Sequence, residues 1–288
     1  MRRPDRRGSV GANPSVAGEG LLVTDGLTKA FSGLVALQAV NVALHAGEIL
    51  GIIGPNGAGK TTLFNVITGA LPATAGEVWF GGRRITGLGV HQVARLGVAR
   101  TFQNIRLFHE MSVAENVMVG GHCRGRAGIA AALLGLNRVR REERVLRERA
   151  VTFLEMMGLA DRADQPAGSL TTGQQRLLEI ARALSAEPRV ALLDEPAAGL
   201  NTKETEALAE FIRRMPRDLV SAVALIEHDM RLVMDVSDRV VVIDRGVKIA
   251  EGPPAAVQRE PSVIAAYLGE GFLAKEGGRP PDAGVGEQ

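Results

Sequence analysis

Cysteine, aromatic side chains, net charge and long apolar runs are all scarce in this chain. The single cysteine, Cys123, excludes an internal disulfide and a cysteine-rich zinc site, and fits a reducing compartment. Aromatic residues make up 3% of the chain, too few for a protein that stacks many bases. Lys and Arg number 34 against 32 Asp and Glu, a formal net charge of +2, so no basic coat for nucleic acid is present. The most apolar stretch, Gly128 to Leu136, is half the roughly 20 residues that a bilayer helix needs. Arg2, Arg3, Arg6 and Arg7 lead into Gly, Ser, Asn and Pro, not into the apolar core of a secretory signal. The expectation is a cytosolic chain that reaches any membrane through a partner.

What is present is a globular balance: 288 residues, 45% hydrophobic and 23% charged, enough for one large domain or two small ones. Glycine is in excess, at 35 residues or about 12% against a usual value of roughly 7%. Without a G-X-Y repeat, the excess points to turns and loops where backbone approaches something closely. Residues 1–20, and again about 271–288, are rich in Gly, Pro and polar residues without periodicity, and read as disordered tails around a domain at 21–270.

Within that domain, Val35 to His45 and Glu48 to Ile53 are strand-like, and a helix is expected from Lys60 to about Gly69. Glu77 to Gly81 and Val98 to Phe102 are short strands. Ser112 with Glu115 forms a capping box opening a helix at Val113. Arg138 to Met157 reads as a long amphipathic helix, with Val139, Val145, Leu146, Phe153, Leu154 and Met157 expected on its buried side. Its interleaved Arg138–Arg149 and Glu142, Glu143 and Glu148 read as a solvated face. A further helix covers Gln174 to Ser185. The apolar runs Val190–Leu193, Leu219–Ile226 and Arg239–Asp244 then suggest a mainly parallel sheet covered on both faces. The expected architecture is an α/β core with a helical insertion at about 111–165, the whole helical region extending to about 185.

Two segments carry chemistry. Gly54-Pro55-Asn56-Gly57-Ala58-Gly59-Lys60-Thr61 satisfies G-x-x-x-x-G-K-[ST], directly after an apolar strand and before a helical pattern. Glycines let backbone N–H groups curl around an anion, and a helix N-terminus adds its positive dipole end. Lys60 supplies a charge to the β- and γ-phosphates, the Thr61 hydroxyl can coordinate Mg²⁺, and Thr62 continues the cradle. In Arg189-Val-Ala-Leu-Leu-Asp-Glu-Pro196, Asp194 ends a buried strand, at the edge where open α/β sheets bind ligands. Asp194 can hold Mg²⁺, and Glu195 can polarise a hydrolytic water. Alone such a strand end is common; paired with the glycine-rich loop it predicts a nucleoside-triphosphatase.

With these motifs, the stretch from about Leu21 to Gly269 resembles the nucleotide-binding subunit of an ABC (ATP-binding cassette) transporter. Leu170-Thr171-Thr172-Gly173-Gln174 looks like the family signature LSGGQ, which caps the γ-phosphate of ATP held by the other subunit of a head-to-tail dimer. Thr171 keeps the hydroxyl of the usual Ser, whereas Thr172 stands where Gly is usual. The resemblance further implies that Phe31 stacks on adenine and that Gln103 touches Mg²⁺ and the attacking water. It also implies that His228 contacts the γ-phosphate, and that Asn201 sits in the D-loop where Asp is common. Each of these residues alone is more often structural; their order along one chain carries the resemblance. The implied fold is a P-loop NTPase core with mainly parallel sheet, an antiparallel β subdomain and a helical insertion. The implied catalytic residues are Glu195, His228 and Lys60, the metal residues Thr61, Gln103 and Asp194, and the cofactors ATP and Mg²⁺.

Finer strings look like the ATPases of branched-chain amino-acid importers: Arg100-Thr-Phe-Gln-Asn-Ile-Arg-Leu-Phe108, Ile226-Glu-His-Asp-Met230 and Ala266-Tyr-Leu-Gly-Glu270. This implies transmembrane permease subunits, a second ATPase subunit (a paralogue or this chain itself) and, indirectly, a solute-binding protein as partners. The expected place is the cytoplasmic face of the membrane, held there by the permeases. Cassettes for urea or amide import share most of these strings, and lipopolysaccharide-export cassettes are also single compact chains. A soluble repair or regulatory ATPase would usually carry two cassettes, a coiled coil or a zinc hook, and a P-loop kinase would not account for Leu170–Gln174.

The phosphate cradle gives a direct test. Lys60→Ala removes its only side-chain cation, so nucleotide affinity and hydrolysis should both fall, by about 1.5–3 kcal/mol for the lost charge-assisted contact. Equilibrium binding of a fluorescent ATP analogue and steady-state hydrolysis check this, and unchanged hydrolysis would remove Lys60 from the mechanism.

Overall fold

The computed structural model describes residues 20–103, 105–121 and 137–267. The tails expected at 1–20 and 271–288, Cys123, the Gly128–Leu136 run and the Val139 side chain lie outside the described residues, apart from Gly20.

The core is a six-stranded sheet of β3 (Ile49–Ile53), β6 (Val98–Arg100), β7 (Val190–Asp194), β8 (Ala222–Ile226), β9 (Arg239–Asp244) and β10 (Val247–Gly252). Its order is β10-β9-β3-β8-β7-β6, parallel throughout except for the β9–β10 hairpin. All five residues of β3, β7 and β8 are buried, because both faces are covered. Side-chain alternation along the strands divides the interior into two clusters. Leu50, Ile52, Leu192, Ala224 and Val241 pack toward α1 (Lys60–Ile67) and a second sheet. Ile53, Leu193, Leu225 and Val242 pack toward the helices on the opposite face.

The second sheet is antiparallel, ordered β2-β1-β4-β5, from β1 (Leu22–Phe31), β2 (Leu34–Leu44), β4 (Ala75–Phe80) and β5 (Arg83–Arg84). β1 has no counterpart among the strands read from the sequence, since Asp25-Gly26 in its middle signals a turn. The structure uses that pair as an irregularity: the register with β2 shifts between Thr24 and Leu27, and the Gly26 N–H donates to Asn41 Oδ1 at 2.6 Å. A short helix, α2 (Val90–Leu96), also went unread between β5 and β6.

The helical region contains α3 (Val113–Gly121), α4 (Asn137–Met156) and α5 (Thr172–Leu184). The expected capping box is formed: Ser112 N–H donates to Glu115 Oε2 at 2.8 Å, and Glu115 N–H to Ser112 Oγ at 3.1 Å. On α4 the buried side runs through Ala150, Leu154 and Met157, with Leu146 and Phe153 partly buried. Val145 is exposed, a correction to the expected face. One residue is 100° of helix rotation, and Val145 falls one step before Leu146. Arg147 and Arg149 pair on the outside with Asp164 and Glu187, as a solvated face requires. Further helices are α6 (Thr202–Asp218), α7 (Met230–Val236) and α8 (Pro254–Val257), and residues 261–267 are also helical.

Candidate nucleotide site

The parallel register brings the chemistry to one edge. Ile52 pairs with Ile226, and Ile226 with Asp194, so β3, β8 and β7 end at the same level. From that edge start the Gly54–Thr61 loop, the His228 loop and the Glu195 loop. Gly54 has φ 151°, and a Cβ there would lie 1.9 Å from the Ile243 carbonyl oxygen. Gly59, the residue before α1, has φ 104°, and its Cβ would lie 2.5 Å from the Ala36 oxygen. Neither position admits a side chain.

No side chain caps the N-terminus of α1, whereas Thr171, Asn201 and Asp229 each cap the helix that follows them. An uncapped helix end behind a glycine loop is an anion site by geometry. Lys60 is buried and donates to the Gly54 and Pro55 carbonyls at 2.6 and 2.9 Å. An open cavity of about 250 Å³ lies in front, lined by Asn56 to Thr62, Ala36, Gln103, Glu195 and His228.

Three expected residues meet across this cavity. Glu195 adopts φ 51°, rare for a residue with a side chain, while its N–H holds the Ile226 carbonyl at 2.8 Å. Its carboxylate accepts from Gln103 Nε2 at 3.2 and 3.3 Å and lies 2.8 Å from His228 Nε2. Beside it Asp194 is fully buried, and burial pushes its carboxyl above the usual range, opposed by Arg100. Arg100 donates to Asp194 Oδ2 and to Asn65 Oδ1, both at 2.7 Å.

The other carboxylate oxygen, Asp194 Oδ1, is buried without a hydrogen-bond partner. A buried orphan acceptor of this kind fits a divalent cation or its bound water. Among the described residues no group of three or more His, Cys, Asp or Glu side chains could hold a metal ion unaided. The donor set therefore suits a divalent cation arriving with phosphate oxygens.

The remaining expected residues stand elsewhere. Phe31 ends β1, is 40% exposed and has Lys29 Nζ 4.7 Å from its ring centroid; it does not line the phosphate cavity. Leu170 to Gln174 also lie outside that cavity, on the helical region. Thr171 there accepts the Gln174 N–H at 3.3 Å and caps α5, and Asn201 accepts the Glu204 N–H at 3.0 Å and caps α6. Gly173 faces the Gly199 carbonyl and Leu200, which a Cβ would crowd at 3.1 and 3.0 Å.

Sequence reading missed Arg100 and Glu227. Glu227 is buried, accepts from the backbone N–H groups of Ala197 (2.7 Å) and His228 (3.0 Å), and has its carboxyl raised by burial. It thereby joins the loop after Glu195 to the loop of His228. Only a charged residue flanking each motif hinted at these roles: Asp194 lies 94 residues from Arg100, and Ala197 lies 30 residues from Glu227.

With this geometry in view, known proteins place the chain. The family profile described as ABC transporter matches residues 37–198, and one described as branched-chain amino acid ATP-binding cassette transporter matches residues 247–272. The chain belongs to the ABC transporter ATP-binding family. The cassette is 46% identical over 250 residues to the high-affinity branched-chain amino acid transport ATP-binding protein LivG of Escherichia coli K12. It is equally similar to BraF of Pseudomonas aeruginosa; each match covers 87% of this chain and 98% of the relative. A crystal structure of the ADP conformation of an ATP-binding cassette of an ABC transporter shares 34% identity and a TM-score of 0.74. That match covers 86% of this chain and 98% of the other. The cassette fold, with its parallel sheet and antiparallel subdomain, is thus as expected.

Arg100 gives the test of this cassette's buried charge. Arg100→Met should cost about 3–5 kcal/mol of stability, since it leaves the Asp194 carboxylate buried and unpaired. Urea unfolding measures this, and a loss below about 1 kcal/mol would mean that the pair does not hold Asp194.

Proposed function

We propose that this cassette is the ATP-hydrolysing subunit of an importer and couples ATP binding and hydrolysis to uptake of branched-chain amino acids. The observation that carries hydrolysis is the convergence of Gln103 and His228 on the Glu195 carboxylate beside an uncapped, glycine-framed helix end. The solute class rests on similarity to LivG and BraF along nearly their whole length and on the match at residues 247–272.

The chain's residues divide the work. Backbone N–H groups of Asn56 to Thr62 and the Lys60 ammonium hold the β- and γ-phosphates, the ammonium exchanging the Gly54 and Pro55 carbonyls for phosphate oxygens. Glu195 polarises the attacking water and takes up its proton. Gln103 orients that water, and His228 stabilises charge on the transferring phosphoryl group. Asp194, Thr61 and Gln103 would hold Mg²⁺, which when bound would supply charge neutralisation at the phosphate oxygens. Phe31 offers a stacking face for adenine.

Leu170 to Gln174 lie outside the chain's own phosphate cavity, so their partner is the ATP of a second cassette, a paralogue or another copy. Asn201 would lie at that same contact with the second cassette. No helix among the described residues is long and apolar enough to cross a membrane, and the assigned place is the cytoplasmic face, held by permease subunits, with a solute-binding protein acting through them.

Glu195→Gln keeps shape and one accepting oxygen but loses the carboxylate charge. ATP binding should persist while hydrolysis falls by a factor on the order of 10² to 10⁴. Size-exclusion chromatography with ATP, on the variant alone and mixed with a paralogue, should reveal a stable closed dimer. Wild-type hydrolysis would remove Glu195 from its role, and arrested hydrolysis without any dimer would remove the two-cassette arrangement.

A further inference from the structure

The hairpin of β1 and β2 is anchored beside the phosphate cavity. Its register pairs Lys29 with Leu37 and Ala30 with Val35, so Ala36 is an extra residue that bulges from β2. Ala36 lines the phosphate cavity, and a Cβ on Gly59 or Gly246 would lie 2.5 or 2.7 Å from its carbonyl oxygen. The Gln38 N–H donates to the Gly246 carbonyl at 2.8 Å, and on the other strand the Ala30 N–H donates to Thr74 Oγ1 at 3.0 Å. The backbone that carries Phe31 is therefore fixed relative to the phosphate loop.

The ring itself has less support. Phe31 is exposed, and so are Leu34, which pairs with it across the Ser32-Gly33 turn, and Val35. What the ring does have is Lys29, two residues earlier and hence on the same face of β1. Lys29 Nζ lies 4.7 Å from the ring centroid, within reach of a cation–π contact. Lys29 is only 8% exposed, and among the described residues no hydrogen bond or ion pair reaches its ammonium. A cation taken so far out of water needs compensation, and the negative face of the ring meets it. One face of Phe31 is thus occupied by charge, and a planar ligand can stack only on the other.

We propose that Lys29 is the positioning residue for the nucleobase: it pins the Phe31 ring from one side and, without touching the nucleotide, sets the plane on which the base stacks. The ammonium draws ring electron density toward itself and leaves the outer face less negative, which suits the electron-rich face of a purine. Ala36 ties the same hairpin to the Gly54–Thr61 loop, so a ring held in one plane gives the base a fixed offset from the phosphates. The contribution of Lys29 belongs to the base end of the ligand alone, because its charge is taken up by the ring. The proposal rests on the adenine-stacking role given above to Phe31 and adds what holds the ring to that role.

Isothermal titration of the full chain with ATP and with inorganic triphosphate, over a double-mutant cycle of Lys29→Met and Phe31→Leu, decides it. Phe31→Leu should weaken ATP binding about fivefold or more and leave triphosphate binding alone. Unchanged ATP affinity there would remove the stacking role itself, and the proposal with it. Lys29→Met, which replaces the buried charge by an apolar chain of similar length, should weaken ATP binding by about three- to tenfold. KM should rise by the same factor with kcat nearly constant. In the Phe31→Leu background the same substitution should cost less than about twofold, because its effect passes through the ring. An equal loss in both backgrounds, or a loss of triphosphate affinity, would mean direct contact with the nucleotide and overturns the proposal. Wild-type ATP affinity in Lys29→Met, with Phe31→Leu impaired, also overturns it while leaving the stacking role standing. Lys29→Arg, which keeps a cation able to stack, should stay within about twofold of wild type, and a loss equal to that of Lys29→Met would overturn the role of the charge. Should Lys29→Met not fold, Lys29→Gln takes its place in the cycle with the same expected losses.

Discussion

The alignment of β3, β8 and β7 is the constraint on which the site depends. These strands are parallel and in register, so Gly54, the Glu195 loop and the His228 loop leave the sheet at one level. A slip of one residue in any pairing would turn its buried side chains to the opposite face and displace its loop by about 3.3 Å. The register is held by two apolar clusters, one on each face, which is why Glu195 and His228 can sit on loops and still be placed accurately.

Buried charge is the second organising feature. Asp194, Glu179 and Glu227 all lie in the interior with their carboxyls raised by burial, and each is met by a cation or by backbone N–H groups. Such groups contribute little to net stability, because desolvation offsets most of the attraction. Their value is positional. Arg100 ties the α1 helix to Asp194, Glu227 ties the loop after Glu195 to His228, and Arg176 with Glu179 ties the Gln103 backbone to α5. The nucleotide site is therefore braced by Arg100, Glu227, Arg176 and Glu179, none of which lines the phosphate cavity.

The sequence made the phosphate loop, the Asp194–Glu195 strand end and the two apolar strands around them legible, because each is a local pattern with a local cause. Order along the chain made Gln103, His228, Phe31 and Thr171 to Gln174 legible through family resemblance. The structure adds that Gln103 and His228 meet at Glu195, whereas Phe31 and Thr171 to Gln174 stand away from the phosphate cavity of their own chain. What could not be read were long-range pairings. Arg100 finds Asp194 across 94 residues, and β1 hides behind an Asp-Gly pair whose irregular register only the partner strand reveals. Val145 failed for a simpler reason: it lies 100° of helix rotation from Leu146, just past the edge of the stripe through Ala150 and Leu154.

Hydrolysis by an isolated cassette would support the catalytic geometry without touching its purpose. The central claim is that Glu195 chemistry drives entry of branched-chain amino acids. It is tested most directly by reconstituting this chain with its permeases and second cassette in proteoliposomes, supplying the solute-binding protein outside and ATP inside. Accumulation of labelled leucine that requires ATP and disappears with Glu195→Gln is the predicted result. Accumulation of urea but not leucine, or ATP hydrolysis that no solute stimulates and no uptake accompanies, would contradict the account.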